Sequence, residues 1–429
     1  MTVNQSPTNI VNASTLNQKL ILGYQGWFGC PGDNSKTNQW LHWFQGNTPD
    51  ASSLTVDMWP DTSEYDTLFQ TNMTYSNGQP ASLYSAFSGS VVDRHFAWMQ
   101  DNNLDGVMLQ RFNSELHDPA FMDFRDQVAK NVRAAAEAHG RVFCIMYDIS
   151  GNNESSLVGD IENDWTHLVD DIKITESQNY LKHKEKNLLA IWGLGFTDRP
   201  GTASQASEIV DYFKNNPEEK YRSTVFGGVP SHWRTLDGDS KTDSEWSNVY
   251  RSFDVVSPWS VGRFVDSAGA DSFRKNFIDP DLSVLKPLHV DYMPVVFPGF
   301  SMSHITMNSQ QNLPLNQIPR NGGSFWWRQV YNAISSGCTM IYGAMFDEVD
   351  EGTAMFKIVT EQQGLPMQAQ DRLVYLNIDG KSLPNDYYLW LADQGSRMLR
   401  GEIKLTQNMP TQDQSPPRFN WKSLLNRRS

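Results

Sequence analysis

Eight short apolar runs, separated by longer amphipathic or polar stretches, occupy the chain from about residue 20 to residue 350, and nothing else in the sequence limits its fold so tightly. They begin at Leu20 (L-I-L-G-Y-Q-G-W), Leu104 (L-D-G-V-M-L-Q-R-F), Arg141 (R-V-F-C-I-M-Y-D) and Asn187 (N-L-L-A-I-W-G-L). The other four begin at Ser223 (S-T-V-F-G-G-V), Asp254 (D-V-V-S-P-W), His289 (H-V-D-Y-M-P-V-V) and Thr339 (T-M-I-Y-G-A-M-F). Strands buried on both faces read as nearly unbroken apolar runs, and such runs alternating with helices are the pattern of βα units around a parallel sheet. Eight of them in 429 residues predict an α/β fold, a (β/α)8 TIM barrel carrying insertions. No G-x-G-x-x-G or P-loop sequence follows the first run, which disfavours an open nucleotide-binding sheet.

Helices are predicted between the runs. The stretch from Asp118 to Gly140 has an Asp cap, Pro119 in its first turn, helical periodicity and a closing glycine. Others are predicted over 203–215, 324–336 and 386–400. About 75 residues separate the first two runs, far more than a usual connection, and predict a long insertion over one mouth of the barrel. The expected organisation is an N-terminal tail over 1–15, one barrel domain over 16–405 with a short C-terminal extension from 366, and a flexible tail over 406–429.

A net charge of -14 argues against a nucleic-acid partner, because phosphate binding needs clustered Lys and Arg. No apolar run approaches the ~20 residues that span a bilayer, so a soluble protein is expected, with no membrane partner. The opening M-T-V-N-Q-S-P-T-N-I lacks the basic and apolar regions of a secretory signal, and a signal removed beforehand would leave no trace. Of three cysteines, Cys144 and Cys338 lie in apolar runs and are expected as buried free thiols, whereas Cys30 stands beside Pro31 in a loop. The 14 Trp, 15 Tyr and 22 Phe gather in Gly-, Pro- and Asn-rich segments as well as in periodic ones. Flat aromatic faces in loops suit the CH face of a sugar ring, although packing of a large barrel accounts for many of them.

Barrel enzymes work at the carboxyl ends of their strands, so the residues that end each run are the candidates. They are Tyr24, Gln25 and Trp27; Gln110 and Arg111; Tyr147 and Asp148; Trp192; His232 and Trp233; and Ser257 and Trp259. After the eighth run come Asp347, Glu348, Asp350 and Glu351, four carboxylates within five residues. Like charges held together raise one another's pKa, which keeps one acid protonated while its neighbour is ionised, the arrangement that glycosidic cleavage requires. A solvated acidic turn, a helix N-terminus or a cation site would read similarly at this stage. His42 and His232 lack an H-x-x-x-H partner, so no metal is expected, and no G-x-S-x-G supports a serine nucleophile.

The segment F-D-E-V-D-E-G-T-A, Phe346 to Ala354, resembles the F-N-E-W-H-E-G-T-Q signature of family 99 glycoside hydrolases, the endo-α-mannosidases and endo-α-mannanases. The stretch G-Y-Q-G-W-F-G-C-P-G-D from Gly23, with W-L-H-W at Trp40 to Trp43, is similar to that family's first-strand elements, and I-P-R-N-G-G-S-F-W-W from Ile318 to its approach to the last helix. The resemblance implies a retaining hydrolase without cofactor, in which Glu348 deprotonates the sugar 2-hydroxyl to give a 1,2-anhydro intermediate and Glu351 is general acid and then base. Asp347 stands for the family's Asn, Val349 for its Trp and Asp350 for its His, so the substrate is left open among α-mannosides and related hexose or pentose glycans.

The partner expected is therefore an oligosaccharide or polysaccharide. Trp27, His42, Trp43, Tyr147, Trp192 and Trp259 are candidates to line its subsites, and Arg111, Asp148, Asp347 and Asp350 to bond it. Two alternatives stand beside this one: a glycan-binding barrel that has lost catalysis, and an inverting glycosidase using Asp148 or Asp347.

Overall fold

The computed structural model describes residues 10–306 and 313–412. Eight parallel strands form its centre: β1 Lys19–Tyr24, β2 Gly106–Phe112, β3 Val142–Asp148, β4 Lys186–Trp192, β5 Ser223–Val229 and β6 Val255–Pro258, then β7 and β8 Met340–Gly343. β7 comes in two pieces, Asp291–Tyr292 and Val295–Val296, because Pro294 between them has no N–H to give to a ladder. The first piece pairs with β6 and the second with β8. β8 pairs with β1 and β1 with β2, so the sheet returns on itself as a barrel. Every predicted run contains one of these strands, with ends differing by a few residues.

The outer ring is α1 Gly89–Asp101, α2 Pro119–His139, α3 Leu157–Asp170, α4 Ala203–Asn215, α5 Trp246–Ser252, α6 Ser267–Phe273, α7 Ser324–Ser335 and α8 Tyr387–Leu399. Their apolar faces supply most of the packing that shapes the barrel; Val128, Val132 and Ala136 of α2, for example, are buried at helical spacing. The Asp118 carboxylate accepts from the amide of Ala120 at 2.7 Å, and Gly140 closes α2 in a left-handed conformation. α4 opens with a capping box between Thr202 and Gln205. α8, from the C-terminal extension, packs against β1 and α7 and so fills the place of the eighth barrel helix.

The insertion after β1 is more ordered than a loop. It contains an antiparallel hairpin, Phe69–Thr74 with Pro80–Leu83, and ends in α1. Met58 and Pro60 bridge to Val374 and Ile358, which fastens the insertion to the chain that leaves β8. All three cysteines are buried and free, Cys30 included; its thiol donates to the carbonyl of Tyr84 at 3.2 Å. The described parts of the expected tails make backbone contacts with the barrel. Val11 donates to the Gly140 carbonyl and Trp327 to that of Thr406, whereas residues 1–9 and 413–429 lie outside the described residues. Among the described residues no helix is long and apolar enough to cross a membrane.

The exposed cap of α2 gives a direct check on this local reading. Asp118→Ala is expected to lower unfolding stability by about 1 kcal/mol, measured by urea denaturation, with no change in the denaturant slope.

Candidate active site

Beyond β8 the chain makes a tight acidic turn whose backbone is tied down on every side. Phe346 donates to the Gly23 carbonyl at 2.7 Å, and Asp57 and Met58 of the insertion both donate to the carbonyl of Val349 at 3.0 Å. Thr353 and Ala354 donate to the Glu348 carbonyl, while Ser301 donates to that of Glu351 at 2.9 Å. The buried Arg320 guanidinium bonds the carbonyls of Gly352 and Ala354 at 2.9 and 2.6 Å. Gly352 has φ +63°, and a Cβ there would stand 2.8 Å from the Ser301 amide nitrogen, so only glycine lets the turn seat against Ser301. Asp57 anchors the far side: its carboxylate accepts from Ser301 Oγ, from the amides of Ser303 and His304, and lies 2.6 Å from His304 Nδ1.

The four carboxylates of this turn then part company. Asp347 is spent on the backbone, accepting from the amides of Gln25 at 2.7 Å and Gly26 at 2.9 Å. Glu348 and Glu351 line one cavity of about 230 Å3 at the carboxyl end of the barrel, together with Asp148 from β3 and Gln110 from β2. Gln25 Nε2 donates to Glu348 Oε1 and Thr353 Oγ1 to Glu348 Oε2, each at 2.6 Å. The Glu351 carboxyl accepts no hydrogen bond from any of the described residues. Asp350 is buried behind them, its Oδ2 at 3.6 Å from His42 Nδ1 and its Oδ1 without a partner among the described residues.

Trp27, Trp192 and Trp259 form aromatic walls of the same cavity, with Phe112 beside Trp27. His42 stacks on Trp27 with ring centroids 3.9 Å apart and planes within 7°. Other expected residues lie elsewhere. Trp43 is fully buried, stacked on Phe28, and its indole N–H donates to the Tyr84 carbonyl. Arg111 and Tyr147 point away from the barrel axis, because adjacent residues on a strand face opposite sides and Gln110 and Asp148 take the inward positions. Arg111 makes a two-pronged pair with Asp164 of α3 at 2.6 Å and reaches Asp126 of α2 at 2.8 Å, and Tyr147 donates to the same Asp164 at 2.7 Å. His232 and Trp233 likewise lie away from this cavity, and Ser257 is buried. Sequence reasoning missed Arg199, in the loop after β4, and Ser150, whose amide donates to Asp148 at 2.7 Å. Arg199 stands over Trp192 and offered one signal, a cation in a strand-end loop.

Burial dominates the electrostatics. It raises Asp347 to about 7 against the bonds from Gly26 and Gln25. Burial, then the charges of Glu351 and Asp350, raise Glu348. Burial lifts Asp350 to about 8. Glu351 rises to about 7 through burial and the charges of Asp350 and Asp148, opposed by Arg199, and burial takes Asp148 to about 6. The cavity therefore holds protons near neutral pH that these carboxyls would otherwise lose. Among the described residues no group of three or more His, Cys, Asp or Glu side chains is arranged to hold a metal ion.

No family model and no curated protein matches the chain. Among solved structures it is similar to the GH99 endo-alpha-mannosidase from Bacteroides thetaiotaomicron, free and in complex with BIS-TRIS-propane. Both superpose with a TM-score of 0.62 at 15% identity, covering 90% of this chain and 99% of that one. The likeness is one of fold.

Two measurements test the arrangement. The folded chain keeps a proton on Asp350 that the unfolded chain releases above the ordinary 3.8, so this group costs stability increasingly as pH rises toward about 8. Asp350→Asn should then raise unfolding stability at pH 8 more than at pH 5, by up to roughly 4 kcal/mol in urea denaturation, and an equal effect at both values would contradict the burial argument. Arg111→Met, which strands two carboxylates behind the barrel, should destabilise the fold by roughly 3–5 kcal/mol.

Proposed function

We propose that this chain is a glycoside hydrolase that cleaves an α-linked oligosaccharide or polysaccharide with retention, through participation of the sugar's own 2-hydroxyl. The observation that carries the reading is the unequal treatment of two carboxyls in one cavity. Glu348 receives a donor on each oxygen, and these two bonds oppose the upward push of burial and of the Glu351 and Asp350 charges; Glu351 receives none from the described residues and, beside Asp350 and Asp148, keeps its proton up to about pH 7.

In the first step Glu351 gives its proton to the departing glycosidic oxygen while Glu348 takes the 2-hydroxyl proton, so that O2 closes on the anomeric carbon as a 1,2-anhydro sugar. In the second, the Glu351 carboxylate takes a proton from water, which opens the three-membered ring at the anomeric carbon, and Glu348 returns its proton to O2. Two inversions give net retention, and both glutamates end in their starting states. The rigid turn between Gln25 and Ser301 keeps the acid and the base oriented without reorganisation. Trp27, Trp192 and Trp259 suit the apolar faces of sugar rings, with His42 backing Trp27 and Asp148 available to a hydroxyl. The similar fold of a protein named as an endo-alpha-mannosidase supports an α-mannoside, or a related hexose or pentose glycan, as substrate.

Asp148 favours a second reading, an inverting enzyme, because it lines the same cavity and burial raises it to about 6. Asp347 has no such case, since backbone amides occupy both its oxygens. Nuclear magnetic resonance of the first-formed anomer separates the two readings.

Against a panel of α-linked glycans and aryl α-glycosides, Glu348→Gln and Glu351→Gln should each lower turnover of unactivated substrates on the order of 10²–10⁴-fold. An aryl glycoside with a good leaving group needs no acid in the first step, so it should relieve that step in Glu351→Gln and leave Glu348→Gln slow. Wild-type rates in both variants would end the assignment.

A further inference from the structure

Beside the candidate cavity lies a second basin of about 560 Å3, which shares Trp192, Trp259 and Arg199 with it. The two Trp rings meet edge to face at 5.4 Å, so one aromatic pair borders both spaces. In a chain with a net charge of -14, the basin wall gathers basic groups: Arg199, His232 and Arg263. Asp239 serves two of them, with Oδ2 accepting from Arg263 Nη2 at 2.6 Å and Oδ1 lying 2.9 Å from His232 Nδ1. It is held in turn by Ser231 Oγ at 2.8 Å and by the His232 amide at 2.9 Å. Gly238, at φ +54°, lies so close under the imidazole that a Cβ would stand 2.7 Å from Nδ1, which fixes the ring against its acid.

Each arginine of the wall has one acidic partner. Asp239 is shared between Arg263 and the His232 ring, and Asp198, which pairs with Arg199 at 2.6 Å, is 70% exposed at the lip and screened by solvent. Arg199 Nε is buried with no partner among the described residues, although its guanidinium is held over Trp192 at 5.1 Å. The remaining N–H groups of Arg199 and Arg263 form a donor-rich wall, which His232 lines as well. A planar fork of donors matches a carboxylate or a sulfate better than it matches isolated hydroxyls.

We propose that the basin binds an anionic sugar residue, one carrying a carboxylate or a sulfate ester, beside the residue held in the catalytic cavity. Arg199, His232 and Arg263 bond the anion, and Trp192 and Trp259 carry the ring. The inference rests on the reading of the first cavity as a glycan site and narrows its substrate to acidic glycans.

The test is binding, in Glu351→Gln protein, so that it does not depend on turnover. Methyl α-glucuronide and glucose 6-sulfate are titrated against methyl α-glucoside by nuclear magnetic resonance. At least one anionic probe should bind about tenfold more tightly than the neutral one, and which of them does identifies the anionic group. Arg263→Gln and His232→Gln should each reduce that preference while leaving neutral-probe binding in place, and Arg263→Lys should restore part of it. Equal affinities for all three probes, or a preference that survives both substitutions in proteins that melt as the parent does, would overturn the proposal. Failure of the hydrolase reading looks different: no glycan is cleaved by the wild type, whatever the titrations give.

Discussion

Two backbone amides at the end of β1, those of Gln25 and Gly26, donate to one carboxylate just beyond β8, and the rest of the site depends on that clasp. It joins the first and last strands of the barrel at the mouth that holds the candidate site. It also determines what the neighbouring residues can do. With Asp347 turned to the backbone, Glu348 is presented to the cavity, and the side chain of Gln25 reaches across to bond it. One side chain at the seam thus fixes both the closure of the barrel and the orientation of a candidate base.

The clasp is costly, because buried carboxyls resist ionisation, and the turn carries three more of them. What offsets the cost is backbone satisfaction: the carbonyls of Glu348, Val349, Glu351, Gly352 and Ala354 all accept bonds from outside the turn or across it. The insertion supplies Asp57, the approach to α7 supplies Arg320 and Ser301, and neither segment is a barrel strand. Their burial therefore serves rigidity at the site, and a turn held this way keeps its carboxyls raised without moving to relieve them.

The barrel was legible in the sequence because eight doubly buried strands must read as apolar runs, and caps such as Asp118 and Gly140 mark the helices that cover them. The acidic turn was legible as a place. Individual roles within it were not, because spacing does not say which carboxylate a backbone amide will claim. Strand parity was hidden for a related reason. When both faces of a strand are apolar, nothing in the run distinguishes Gln110 from Arg111 or Asp148 from Tyr147, and the outward-facing member of each pair reads as equally suited to a ligand. Trp43 and His42 differ in the same way, adjacent in W-L-H-W and yet one packed on Phe28 and the other on the cavity wall residue Trp27. Arg199 depended on the fold of a loop, which local sequence does not determine.

The departures from the family 99 signature acquire a different meaning once placed in space. Asp347, Val349 and Asp350 are all buried, and none of them lines the cavity that Glu348 and Glu351 share. Val349 packs in the core while its carbonyl receives the insertion through Asp57 and Met58, and Asp350 faces His42 behind Trp27. Where the segment differs from the signature it resembles, the differing residues belong to the scaffold behind Glu348 and Glu351, and residues of the insertion after β1 meet them. In the proposed reading, what a ligand meets comes from other segments: Trp27 beyond β1, Trp192 and Arg199 from the end of β4 and the loop after it, Trp259 just beyond β6, and the basin beside them. The candidate acid and base and the residues facing a ligand thus stand on different parts of the mouth, the first on the turn after β8 and the second on the loops around it.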